Sequence, residues 1–93
     1  MIFITVCGTD RHLENAVVCK HDNREDAIAF CKKHAIEYIN ERISEALLVA
    51  ENPYYQKPAL KHVEYLNNIK TSIQDAQLPI KIKPDFIAFM KLF

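Results

Sequence analysis

The sequence predicts an α+β fold in one domain spanning residues 1–93: a small antiparallel sheet of two or three strands packed against two antiparallel helices, with an apolar C-terminal helix or strand. Three observations predict it. Residues 2–7 form a β-branched and aromatic run. Apolar residues recur at helical spacing from residue 24 to 51 and again after Pro58. Residues 78–83 alternate apolar side chains with lysine.

In the first run, IFITVC, Ile2, Ile4 and Val6 share one face and Phe3, Thr5 and Cys7 the other. Both faces are largely apolar, which places this strand in the middle of a sheet. Gly8 to Asn15 reads as a polar turn. Residues 16–20, AVVCK, then form the second strand of an antiparallel hairpin.

Asp22 and Asn23 offer an N-cap, and Glu25 and Asp26 suit the positive end of a helix dipole. The helix is expected from Arg24 to about Glu51, stopped by Asn52-Pro53. Ala27, Cys31, Ala35, Tyr38, Ile39, Ala46 and Val49 cluster on one side of it; Lys33, Glu37, Asn40, Ser44 and Glu51 fill the other. Such a helix is about 42 Å long, more than a small domain is wide. Either it breaks near Asn40–Ser44 or its second half leaves the sheet. Arg42 falls inside the apolar arc and marks a change of partner there. Leu47 and Leu48 lie off the stripe and need cover, which a second helix can supply.

Residues 52–57, NPYYQK, form the linker, and Pro58 suits the first position of that second helix. Ala59, His62, Val63, Leu66, Ile69 and Ile73 make its apolar face, and it is expected to end near Ala76. In LPIKIK, Ile80 and Ile82 point in and Lys81 and Lys83 out, the pattern of an edge strand; Pro84 interrupts it. In the tail, Phe86, Phe89, Met90 and Phe93 sit at helical spacing with Asp85 as a cap, while Phe86, Ala88, Met90 and Leu92 alternate as a strand does. We read the tail as a helix, with the strand as the alternative.

Twelve Lys and Arg balance twelve Asp and Glu, which argues against a general nucleic-acid binder with its basic excess. Gly8 is the sole glycine, so phosphate-cradling loops of the Rossmann, Walker and kinase types are absent. Three cysteines without paired spacing do not read as a disulfide framework, the N-terminus does not read as a secretory signal, and no apolar stretch reaches the roughly 18 residues of a membrane span. A cytoplasmic protein without a membrane partner is the expectation.

The sharpest chemical constellation is Cys19, His21, Cys31 and His34. Cys31 lies about 12 Å up the helix from the turn at Asn23, and Cys19 about 13 Å back along the strand, so the two come level. Two Cys and two His are an acceptable zinc set, but a single residue between Cys19 and His21 departs from the usual ligand spacing. We expect small buried thiols and no metal or cofactor. A nucleophilic Cys31–His34 pair is disfavoured because Cys31 points into the core, where a thiolate is not supported. Glu37, Glu41 and Glu45 read as a solvated stripe, and His62 as a buried neutral histidine.

The leading expectation is therefore a non-enzymatic protein-binding module: an adaptor, an inhibitor or a small subunit of a larger complex. Its size also suits a phage or mobile-element antagonist that blocks a host complex by occupying it. Tyr54, Tyr55, Arg42, Lys81 and Lys83 are the residues expected to meet the partner. Tyr54 and Tyr55 are adjacent in a Pro-bounded linker, so the domain can bury one and leave the other exposed; the alternative is that both rings cap the ends of the helix pair. The apolar tail suggests a homodimer. The alternatives are a small nucleic-acid-associated protein using the C-terminal lysines, which is not favoured because arginine is missing after Lys57, and a metal-binding module around Cys19 and Cys31.

Overall fold

The computed structural model describes residues 2–9, 16–83 and 85–92. In chain order the elements are β1 (Phe3–Thr9), β2 (Val17–His21), α1 (Arg24–Val49), α2 (Gln56–Ile73), β3 (Ile80–Ile82) and β4 (Phe86–Leu92). The strands form one four-stranded sheet in the order β2–β1–β4–β3, antiparallel throughout. The class is α+β, with one strand more than the sequence suggested.

The additional strand is the tail. It is a strand and not a helix, and it lies in the sheet between β1 and β3, pairing Phe3–Thr9 with Phe86–Leu92 along their full length. The physical reason is its alternation. Phe86 and Ala88 are buried on the face that carries Ile80, Ile82 and Cys7, while Phe89 pairs with Val6 on the opposite face. Helical spacing would have placed Phe86 and Phe89 on one side. A strand with neighbours on both edges uses both sets of apolar side chains. Phe86 and Ala88 of the tail are buried, while Leu92 near its end is 55% exposed. β1 is central as expected, and β3 is an edge strand with Ile80 and Ile82 buried and Lys81 exposed. Pro84 and Phe93 lie outside the described residues.

Gly8 does not begin a turn; it continues β1. A Cβ on Gly8 would stand 2.9 Å from Cβ and 3.1 Å from Cα of Ala16. Ala16 has no rotamer with which to retreat, so only glycine fits. Residues 10–15, the rest of the expected turn, lie outside the described residues.

Asn23 caps α1. Its Oδ1 accepts from the backbone N–H of Asp26 at 2.8 Å, its Nδ2 donates to Asp26 Oδ2 at 3.0 Å, and its carbonyl accepts from Ala27 N–H at 3.3 Å. The helix continues without a break for 26 residues. Two compact units divide the chain: residues 1–35 with 75–93, and residues 36–74. The first twelve residues of α1 therefore belong to the unit that holds the sheet, and the remainder to the unit that holds α2. The change of partner falls at Ala35–Ile36, one turn before the expected break.

In the sheet unit, Ala27, Cys31 and Ala35 of α1 are fully buried, and Thr5 and Cys7 are buried on β1. Thr5 is satisfied there, its hydroxyl 3.0 Å from Nε2 of His21. In the helical unit, α2 runs back along α1, and Lys70 Nζ donates to Asn40 Oδ1 at 2.8 Å across the pair. Taken as the seam of the pair, the buried residues are Tyr38, Ile39, Ala46 and Ala50 on α1 and Ala59, Leu66 and Ile73 on α2. Ile39 is fully buried, a contribution of about 1.5–3 kcal/mol. Pro58 is the third helical residue, still within the first turn where its missing N–H costs nothing. α2 ends at Ile73, short of Ala76.

Four side chains depart from the helical packing read from the sequence. Val49 is exposed, and Ala50 takes the last buried place on that side. His62 is exposed, not buried, and stacks on Tyr65 at 6.1 Å. Leu47 and Leu48 remain 48% and 67% exposed, so α2 does not cover them. The seam at this end runs through the alanines 46, 50 and 59. At about 100° per residue, Leu47 and Leu48 turn progressively away from Ala46 and leave that seam.

Candidate functional site

The end of the helical hairpin concentrates what the core does not use. α1 finishes in a tightened turn: Ala50 N–H donates to the Ala46 carbonyl at 2.9 Å, Glu51 N–H to Leu48 at 3.2 Å and Asn52 N–H to Val49 at 3.1 Å. Asn52 then organises the linker. Its side-chain Oδ1 accepts from Tyr54 N–H at 3.0 Å, and its carbonyl accepts from Tyr55 N–H at 3.0 Å. These two bonds fix the backbone that carries both tyrosines. Tyr55 is also the N-cap of α2, where its carbonyl accepts from Ala59 N–H at 3.0 Å.

Tyr54 is 82% exposed and Tyr55 50%. Both rings are therefore presented, and neither is buried. They pack edge to face, with centroids 4.9 Å apart at 85°, so each limits the rotation of the other. Leu47, Leu48 and Val49 at the end of α1, and Leu60 near the start of α2, add exposed aliphatic surface at the same end. Sequence reasoning missed Leu60. The signal that finds it is the alanine seam: once Ala46, Ala50 and Ala59 are taken as the contact, the large residues beside them have no interior to enter.

Arg42 is tied to its own helix. Its Nη2 lies 3.0 Å from Glu45 Oε1 and 3.5 Å from Glu41 Oε1, and its guanidinium sits 5.1 Å from the Tyr38 ring centroid. Its Nε is buried without a hydrogen-bond partner. Lys81 and Lys83 are exposed in the sheet unit, on β3 and just after it.

The four sulfur and imidazole candidates do not converge. Cys31 meets Cys7, not Cys19, with Sγ atoms 3.8 Å apart, and its thiol reaches the Phe89 carbonyl at 3.9 Å. Its hydrogen bond to Cys31, and then burial, push the Cys7 thiol far above its usual 9.0. The same bond from Cys7 lowers Cys31, against the opposing effect of burial. The Phe30 ring stands 5.0 Å from the His21 ring and 4.4 Å from the His34 ring, and its bulk packs against both imidazoles. Among the described residues no group of three or more His, Cys, Asp or Glu side chains is placed to hold a metal ion. A depression lined by Arg24, Ile28, Lys32 and residues 76–78 offers cations but neither a nucleophile nor a carboxylate.

No helix among the described residues is long and apolar enough to cross a membrane. No family model matches this sequence, and neither a curated protein nor a solved structure matches it.

Proposed function

We propose that this protein is a non-enzymatic protein-binding module, an adaptor, inhibitor or small subunit, that engages its partner through the end of the α1–α2 hairpin. One observation carries the reading: of the eleven large apolar side chains exposed among the described residues, six lie between residues 47 and 60. Exposed apolar residues scattered singly are ordinary; their concentration at one end of one hairpin is not. Tyr54 and Tyr55 supply large, rigid contact area with polar tips, on a linker already held by Asn52 and bounded by Pro53 and Pro58. Little ordering entropy is left to lose on binding.

The test is quantitative capture from the native host, comparing the wild type with Leu48→Glu and Tyr54→Ser. Both sites are exposed, so both variants should fold with the wild-type melting temperature. A protein enriched by the wild type and lost with both variants supports the reading. An unchanged set of captured proteins moves the binding surface elsewhere.

A further inference from the structure

In the sheet unit, the face opposite Thr5 and Cys7 carries an ordered pattern. Paired residues on antiparallel strands point to the same side. By register, Ile4 lies between Lys20 on β2 and Lys91 on β4. Val6 lies between Val18 and Phe89 in the next row. Gly8 lies beside Ile87, which pairs with Lys81 on β3. The rows are about 6.7 Å apart. The centre is apolar, with Val18 61% exposed, and Lys20, Lys81 and Lys91 are all exposed. No paired residue on this face is a carboxylate.

We propose that this face docks an acidic, apolar segment of a partner protein. The row of Val18, Val6 and Phe89 takes its apolar side chains, and its carboxylates reach Lys20, Lys91 and Lys81. Charge complementarity selects this occupant. A second copy laid face to face would bring three lysines against three lysines with no acid between them. Among the paired residues of this face, a single-stranded nucleic acid would find one aromatic ring, Phe89, and no arginine for stacking or bidentate phosphate contact. Lysine stems are long enough to lie along apolar surface while their charges stay at its border. This site is separate from the hairpin end, and either can fail without the other.

The experiment is an NMR titration of the full chain with three probes: an acetylated ten-residue peptide alternating Glu and Val, the same peptide with Lys for Glu, and a ten-nucleotide oligothymidylate. The expected result is saturable shifts at Val18, Lys20, Phe89 and Lys91 with the Glu–Val peptide alone. Binding should weaken about tenfold in Lys20→Glu/Lys91→Glu, less in Lys20→Gln/Lys91→Gln, and further as salt shortens the screening length. Equal binding of the Lys–Val peptide, tighter binding of oligothymidylate on these residues, or no saturable shift there would each overturn the proposal.

Discussion

Sγ of Cys7 on β1 lies 3.8 Å from Sγ of Cys31 on α1, and this buried pair joins a central strand of the sheet to the first half of the helix. Around it stand Ala27 and Ala35, both fully buried, so helix and sheet meet through small side chains. Cys31→Leu should therefore overpack the contact and cost about 1–3 kcal/mol, measured by urea unfolding. Cys31→Ala should cost less. A leucine variant as stable as the wild type would mean that the helix stands off the sheet.

The same pair makes stability depend on pH at the alkaline end. In the unfolded chain the Cys7 thiol ionises near its usual 9.0; in the folded protein the bond to Cys31 and burial keep it protonated. Above that pH the unfolded state binds fewer protons, so stability falls as pH rises. The bond from Cys7 lowers Cys31 in the folded protein, so the alkaline loss is carried by Cys7. Between about pH 9.5 and 10.5 the wild type should lose more stability than Cys7→Ala/Cys31→Ala. Parallel losses in thermal melts would contradict the assignment.

Gly8→Ala should destabilise the protein by about 1–3 kcal/mol, because the new Cβ would stand 2.9 Å from that of Ala16. Adding Ala16→Gly should recover part of the loss, because the 3.1 Å approach to the Ala16 Cα remains. Recovery in that double variant isolates the cross-strand contact from any general intolerance at position 8.

Asn23→Ala removes the acceptor for Asp26 N–H and should cost about 1 kcal/mol; Asn23→Asp keeps that acceptor but replaces the donor to Asp26 Oδ2 by a like charge, so it should not match the wild type. Chemical denaturation of the three proteins checks it.

Much of the fold was legible because each local signal had a single physical reading. The alternation of Ile80 and Ile82 with Lys81 and the 3.6-residue stripe of α1 each left one solution, and the cap was narrowed to Asp22 or Asn23. The tail was not legible in this way. Its apolar residues satisfy both periods, and only pairing with β1 on one side and β3 on the other decides between them. The exposed leucines were misread for a related reason. Leu47 and Leu48 look like residues that need cover, but a seam of alanines leaves them outside it. At the candidate site, Tyr54 and Tyr55 were visible from the linker's composition. That both are presented follows from their mutual edge-to-face contact and from the Asn52 hydrogen bonds, which spacing does not encode.

The most direct test of the central claim is calorimetric titration of the partner recovered by capture against the wild type, Tyr54→Ala and Tyr55→Ala, with melting temperatures recorded for all three. Binding through the hairpin end predicts that each substitution weakens affinity by about 1–3 kcal/mol while the melting temperature stays within error of the wild type. Substitutions that lower the melting temperature and leave affinity unchanged would make the tyrosines structural and contradict the claim.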